Sequence, residues 1–309
     1  MNKKIVVAGS SNTDMILQMK RIPKPGETLL GGRFSTAAGG KGANQAVAAA
    51  RAGGDVSFIA RVGNDMFGKQ AVEGFCRDGI DTRYVFTDPK EPSGVALIFV
   101  ADNGENSIGV ASGANGQLSI DDIDRCREVI LSADILLMQL EIPLETVRAA
   151  VKLAAGKGIR VILNPAPAQP LSDDILQAIS ILTPNESETE LLTGIEVTDE
   201  STAELAAKSL HQKGVEIVII TMGASGAYVY SNEFTGLVSS FPVKPVDTTA
   251  AGDVFNGALA VALSTQMKLK EAVRFANAAA ALSVTQLGAQ TSAPELNAIM
   301  KLLNKEMKT

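Results

Sequence analysis

Val246-Asp247-Thr248-Thr249-Ala250-Ala251-Gly252-Asp253-Val254-Phe255-Asn256-Gly257 sets two acids around a run of small residues, directly before an apolar helical pattern that continues through Leu259, Val261, Ala262 and Leu263. Locally this is a tight turn that opens a helix. The backbone N–H groups of Ala250, Ala251 and Gly252 then have no intrahelical acceptor and point outward with the positive end of the helix dipole. Such a turn binds anions, and its small side chains admit a phosphate closely. Asp253 is the odd member, because a carboxylate beside a bound phosphate repels it; one tolerated there handles a proton. An Asp that only stabilises the first helical turn is the other reading, and the stretch alone leaves both open.

Outward from this turn, apolar runs at 5–9, 55–62, 84–87, 135–140, 160–163, 181–183, 216–221 and 227–230 predict strands. Helical patterns alternate with them: an alanine-rich helix ending at Ala52, then 67–77, 120–132, 145–155, 173–179, 188–192 and 203–212. Repeated strand–helix units with apolar strands predict an α/β fold, a mainly parallel central sheet with helices on both faces in the Rossmann-like manner. In such sheets ligands belong at the C-terminal ends of the strands. Asn12, Asp14, Glu141, Asn185, Glu188, Thr221, Gly223 and Asp253 all fall there, Asn12 and Asp14 in a polar loop after the first strand.

Two stretches, 13–36 and 92–114, break the alternation. The first is interrupted by Pro23, Pro25-Gly26 and Gly31-Gly32, and the second contains the hairpin signal Ala101-Asp102-Asn103-Gly104-Glu105. They predict a small antiparallel sheet projecting from the same edge, a lid over the site, with two unrelated surface hairpins as the plain alternative. No repeat or linker divides residues 1–309, which read as one domain carrying that lid.

Of the 309 residues 46% are hydrophobic and 20% charged, ordinary globular usage. A net charge of −6 favours neither nucleic acid nor an anionic membrane surface. No stretch is long enough to span a bilayer, and the apolar run after Met1-Asn2-Lys3-Lys4 is too short for a signal peptide, so a cytoplasmic location is expected. Cys76 and Cys126 lack metal-ligand spacing and read as small core residues. The lone histidine, His211, excludes His-based zinc sites and reads as a surface residue.

Gly39-Gly40-Lys41-Gly42-Ala43-Asn44 is glycine-rich and carries a lysine, but Lys41 is followed by Gly42, so this is not a Walker A loop. Its glycines either let the backbone approach a polar ligand, with Lys41 and Asn44 bonding its hydroxyls, or permit tight helix–strand packing. Asn185-Glu186-Ser187-Glu188 either holds a hydrated Mg²⁺ beside phosphate oxygens or simply caps a helix. Thr221-Met222-Gly223-Ala224-Ser225-Gly226 is a hairpin turn whose backbone can also wrap a nucleotide.

Together these motifs resemble the ribokinase-like (PfkB) carbohydrate kinase family over nearly the whole chain. Gly39-Gly40-Lys41-Gly42-Ala43-Asn44-Gln45-Ala46 looks like its N-terminal signature, Asp247-Thr248-Thr249-Ala250-Ala251-Gly252-Asp253 like its C-terminal one, and Asn185-Glu186-Ser187-Glu188 is similar to its N-x-x-E motif. Gly9-Ser10-Ser11-Asn12-Thr13-Asp14, Met138-Gln139-Leu140-Glu141 and Gly288-Ala289-Gln290 look closest to members acting on D-ribose. Ala250 is a departure, since many members carry Gly there.

The resemblance implies ATP-dependent phosphorylation of the D-ribose 5-hydroxyl, with Asp253 as general base and the N–H groups of Ala250, Ala251 and Gly252 stabilising the transferring phosphoryl group. It implies sugar contacts from Asn12, Asp14, Gly40, Lys41, Asn44, Glu141 and Asp253. The nucleotide side would be Asn185, Thr221, Gly223, Ala224, Ser225, Gly226, Gly252 and Asn277, with Glu188 organising Mg²⁺. A K⁺ site would use Asp247, Thr249, Ser283, Gln286, Gly288 and Ser292, mostly through backbone carbonyls. Alternatives are a family member acting on deoxyribose, a hexose such as fructose, or a nucleoside, and, from another class, a non-catalytic sugar- or nucleotide-binding protein. Asp253 argues against the last, since binding alone gains nothing from a carboxylate near phosphate. Exposed sheet edges in a lid often pair with a second copy, so a homodimer through the lid is expected.

Overall fold

A strand that is apolar on both sides must be covered on both faces. In β1 (Lys4–Ala8), Ile5 and Val7 enter one core and Val6 and Ala8 another, all at 1% exposure or less. The computed structural model describes residues 4–306, so residues 1–3, considered above for a signal segment, lie outside it. After β1 come β2 (Asn12–Met19), β3 (Arg33–Gly39), α1 (Lys41–Arg51), β4 (Asp55–Gly63), α2 (Met66–Arg77) and β5 (Val85–Asp88). Next are β6 (Gly94–Ala101), β7 (Asn106–Ala111), α3 (Ile120–Arg125), α4 (Arg127–Leu131), β8 (Ile135–Met138), α5 (Leu144–Ala155), β9 (Arg160–Leu163), α6 (Asp173–Leu176) and β10 (Ile181–Leu182). The chain closes with α7 (Glu186–Thr193), α8 (Glu200–Gln212), β11 (Ile217–Thr221), β12 (Gly226–Tyr230), β13 (Gly236–Ser239), α9 (Ala251–Ser264), α10 (Leu269–Ser283) and α11 (Leu296–Glu306).

The central sheet runs β13-β12-β11-β10-β9-β8-β1-β4-β5, parallel from β11 to β5 and antiparallel only at β12 and β13. One face is covered by α1, α9 and α10 over Val7, Phe58 and Leu137; the other by α5 and α8 over Val6, Leu136 and Val161. The α/β architecture expected from the alternation is the one observed.

The second sheet, β3-β2-β6-β7, is mixed and not purely antiparallel, because β2 runs parallel to β6. Both insertions leave the central sheet from the same edge, which gives their first strands a common direction. Its bounds also shift: β2 begins at Asn12, so Asn12 and Asp14 are strand residues and the loop after β1 is only Gly9 to Ser11, while β3 continues to Gly39.

The helix expected over 120–132 bends at Cys126, which takes φ −92° and ψ 6° and divides it into α3 and α4, keeping Ile123, Cys126 and Ile130 buried together. Cys76, in contrast, is exposed. His211 is half-buried, its ring 5.2 Å from that of Tyr230. β13, α10 and α11 were not anticipated.

α9 is buried along almost its whole length, from Asp253 to Ser264, and lies directly on α1. Gly257 makes this approach possible: a Cβ there would stand 2.6 Å from the Gln45 carbonyl oxygen and 2.8 Å from Ala48 Cβ. Gly257→Ala is therefore expected to destabilise the protein by about 1–3 kcal/mol, as overpacking does. Gly109→Ala, in open space, should stay within about 0.5 kcal/mol. Denaturant midpoints at unchanged slope would check both.

Candidate functional site

The turn before α9 is held by a left-handed residue. Ala250, at the helix N-cap, takes φ 59° and ψ 14°, a conformation that costs an alanine roughly 1–2 kcal/mol and a glycine almost nothing. Ala250 therefore occupies a glycine-like backbone state and leaves the turn geometry intact. The three outward N–H groups expected at 250–252 are revised in one respect: the Ala251 N–H turns back onto the Thr248 carbonyl at 3.3 Å. The N–H groups of Ala250, Gly252 and Asp253 meet no acceptor among the described residues, and a side chain at Gly252 would enter open space. The turn thus presents unpaired donors to an accessible surface.

Asp253, only 6% exposed, stands one residue further in. Its Oδ2 accepts from Asn44 Nδ2 at 2.9 Å and its Oδ1 from Gln45 Nε2 at 3.0 Å. Burial pushes its pKa up, and Lys41 and the two amides oppose that shift. Burial likewise disfavours the Lys41 ammonium, but Asp253, Glu141 and Glu188 outweigh it and hold the lysine above its ordinary value. One cation thus sits among several carboxylates at the sheet edge.

α1 brings Lys41, Asn44 and Gln45 to this point, and glycines set its position. Side chains at Gly40 and Gly42 would strike the Asn12 nitrogen at 2.7 Å and the Ser10 nitrogen at 2.5 Å, and Gly40 holds φ 88°. The space that a Cβ would take at Gly40 and Gly42 is filled by the protein's own chain, so these glycines permit tight packing. Gly39 is covered by Asp14, whose Oδ1 would lie 2.3 Å from a Cβ there. Because Gly40 has no side chain to cap α1, Glu141 does so from across the molecule. Its Oε2 accepts the Lys41 N–H at 3.0 Å and Ser10 Oγ at 2.5 Å.

Two polar side chains have their orientation fixed by neighbours. Asn115, absent from the sequence reading, donates to Asn12 Oδ1 at 2.7 Å and accepts the Ser11 N–H at 2.8 Å, so Asn12 offers its NH₂. Asn44 Oδ1 is buried without a partner, an acceptor awaiting a donor. Burial, then the charges of Glu141 and Asp253, push the Asp14 carboxyl up to about 6.

On the far side of the turn, Asn185 and Glu188 form a capping box: Asn185 Oδ1 accepts the Glu188 N–H at 2.8 Å and Glu188 Oε2 the Asn185 N–H at 2.9 Å. The capping reading is therefore realised. Glu188 nonetheless lies within the fields of Lys41 and Asp253, and burial raises its pKa. Among the described residues no cluster of three potential metal ligands occurs. Thr221 donates its N–H to the Pro184 carbonyl, and Gly223, Ala224 and Ser225 form a tight turn closed by Gly226, whose carbonyl accepts the Met222 N–H at 2.8 Å. Asn277 Nδ2 donates to the Val238 carbonyl at 2.8 Å and so clamps β13.

A 300 Å³ cavity lies between these parts, lined by Gly223, Ala224, Phe241, Val243, Thr248 and Ala251 among others, continuous with the anion-binding turn. Phe241 and Val243 belong to a segment that the sequence reading passed over. A larger 460 Å³ cavity at the opposite, N-terminal ends of β8, β9 and β11 has no such turn.

The residues expected around K⁺ converge as two adjoining loops. Asp247 accepts the Thr249 N–H at 2.9 Å and the Gly288 N–H at 2.8 Å, and the Val246 N–H reaches the Val284 carbonyl at 2.7 Å. Burial opposes ionisation of Asp247, yet these hydrogen bonds hold its carboxyl below the usual range. The Ser283 carbonyl accepts the Gln286 N–H at 3.0 Å, while Ser292 Oγ turns onto the Ala289 carbonyl at 2.8 Å.

The sequence profile described as pfkB family carbohydrate kinase matches residues 2–296. The chain is 48% identical to a ribokinase of Haemophilus influenzae over 98% of its own length and 99% of that protein's. It is also 40% identical to a deoxyribokinase of Salmonella typhi over 97% and 98% of the two chains. Among solved structures, an Arabidopsis thaliana ribokinase complexed with ribose and ATP superposes with a TM-score of 0.91 at 36% identity, over 98% of this chain and 99% of that one.

Asp14 is expected to titrate near pH 6 in a carboxyl NMR experiment, and Glu141→Gln to lower that value. Since the folded pKa exceeds the unfolded one, Asp14 favours the folded state fully below pH 3.8 and loses that contribution as pH rises through about 6. A folded-state value near about 4 would contradict the assignment.

Proposed function

The chain belongs to the pfkB family of carbohydrate kinases, and from that premise we propose that it phosphorylates D-ribose at O5 with ATP, giving D-ribose 5-phosphate and ADP. The observation that carries this reading is a buried carboxylate, Asp253, beside the unpaired N–H donors of the turn that opens its own helix. A site that only bound phosphate would exclude that carboxylate. In the reaction O5 attacks the γ-phosphorus, the bond from the γ-phosphorus to the β-bridging oxygen breaks, and the hydroxyl proton passes to Asp253. The turn's N–H groups meet the charge on the transferring phosphoryl oxygens.

The sugar is assigned to Asn12, Asp14, Gly40, Lys41, Asn44 and Glu141, with donors and acceptors already sorted: Asn12 offers N–H, while Asn44 Oδ1 and Asp14 accept. The nucleotide is assigned to the cavity lined by Gly223, Ala224, Thr248 and Ala251, and to Asn185, Thr221, Ser225, Gly226, Gly252 and Asn277, which lie outside that lining. Glu188 and Asn185 are the groups that would hold hydrated Mg²⁺, which when bound neutralises phosphate charge. The Glu188 oxygen that the capping box leaves free fits that role. The loops carrying Asp247, Thr249, Ser283, Gln286, Gly288 and Ser292 suit K⁺, because Asp247 stays ionised and links both.

The small sheet is assigned as the lid of a single domain. Register places Asp14, Ile16, Ile98 and Ile108 on one face, with Phe34, Leu17, Phe99 and Leu97 on the other. Phe34 and Leu97 are 62% and 50% exposed, which supports pairing with a second copy. A second reading, phosphorylation of 2-deoxyribose, is favoured by the deoxyribokinase likeness.

Asp253→Asn is expected to keep the fold and ATP binding but to lower kcat for ribose-dependent ADP release by at least about 10²-fold. Turnover near wild type in the folded variant would remove Asp253 from the chemistry.

A further inference from the structure

Around Asp253 the buried amides form one directed network. The Thr183 carbonyl can only accept, and Asn164 Nδ2 donates to it at 3.1 Å. That fixes Asn164 with Oδ1 toward Gln45, whose Nε2 donates to it at 3.1 Å and, with its other hydrogen, to Asp253 Oδ1 at 3.0 Å. Gln45 Oε1 then accepts from Gln139 Nε2 at 2.6 Å. A second branch returns to the turn: Thr183 Oγ1 donates to Asn256 Oδ1 at 2.6 Å, and Asn256 Nδ2 donates to the Gly252 carbonyl at 2.8 Å. Gln45 and Gln139 are fully buried, and Asn164, Thr183 and Asn256 nearly so.

Two branches end on backbone carbonyls, those of Thr183 and Gly252, and the third ends at Gln139, whose Oε1 is buried without a partner, so a turned Gln45 amide would set its oxygen against Asn164 Oδ1 and the Asp253 carboxylate. Gln45 is thereby compelled to present N–H to Asp253. The geometry points to Gln45 as a positioning residue for Asp253, oriented by Asn164 and Gln139, which fixes the carboxylate beside the Gly252 turn. This rests on the reading of Asp253 as the base. Asn44 alone would leave Asp253 Oδ1 without a donor from the protein, and the network, by tying Gly252 to the same frame, keeps base and anion-binding turn in register.

The test is the pH dependence of kcat, with Lys41 of α1, Glu141, Asp14 of β2 and Glu188 of α7 as the other charged groups that face Asp253 and stay the same in every variant. Gln45→Met, close in volume, removes one charge-assisted donor. It is expected to lower the plateau about tenfold or more and to move the acid limb up by about one pH unit, leaving KM for ATP unchanged. Asn164→Ala, which frees the Gln45 amide to turn, should move the limb the same way by less, and decides the matter if Gln45→Met does not fold. A limb at its wild-type position in the folded variant overturns the proposal, including where kcat or Tm falls, because that pattern marks a packing role only. In an Asp253→Asn background Gln45→Met should cause no further loss. A slow Asp253→Asn enzyme with an unmoved limb in Gln45→Met defeats the positioning role alone, whereas an active Asp253→Asn enzyme defeats the base reading itself.

Discussion

A carboxylate at 6% exposure persists only if other groups replace the water it has lost, and Asp253 obtains them from α1. Lys41, Asn44 and Gln45 are consecutive in function because α1 and α9 lie in direct contact, with Gly257 admitting the Gln45 carbonyl where any side chain would collide. Gly42 repeats the device against Ser10, setting α1 on the loop after β1. The two helices meet near their N-termini, so donors converge on one small volume above an apolar core. The proposed phosphoryl transfer asks for little more than this arrangement, because such chemistry depends mainly on positioning and charge.

The second sheet joins the body at the same place. Asn115, just beyond β7, bonds both the Ser11 backbone and the Asn12 side chain, so the two insertions are tied together where they meet the site. Asp14 projects from β2 over Gly39, and burial first, then the neighbouring carboxylates that also hold the Lys41 ammonium protonated, raise its pKa. Movement of this sheet would change the solvation of Asp14 and the room beside Glu141 together.

Much of this was legible in the sequence because it follows from periodicity and small-residue runs. Apolar strands alternating with helices gave the parallel sheet, and the Thr248-to-Gly252 run marked the anion-binding turn. Other features depend on contacts far apart in the chain. The capping role of Asn185 and Glu188, and the packing role of the glycines of residues 39–42 against backbone and Asp14, could be seen only once their neighbours were in place. Gln45 and Gln139 stood inside motifs without a role of their own, and Asn164 and Asn115 carried no local signal, since an isolated buried amide resembles any other polar residue. Their partners lie 94 to 208 residues away for Gln45 and 103 for the Asn115–Asn12 pair. The bend at Cys126 likewise follows from burial of flanking residues and not from helix propensity.

Substrate identity rests on the proposal that Asp14, beside Asn12, accepts from the adjacent 2- and 3-hydroxyls of the sugar. Steady-state turnover of D-ribose and 2-deoxyribose with ATP, with the product examined by phosphorus NMR, tests it most directly. Loss of one hydroxyl leaves a buried acceptor unpaired at a cost of about 1–3 kcal/mol, so kcat/KM for ribose should exceed that for 2-deoxyribose by roughly 10- to 100-fold. The product phosphorus should couple to both protons of C5. Equal efficiency on the two sugars, or a phosphorus coupled to a single ring proton, would contradict the account.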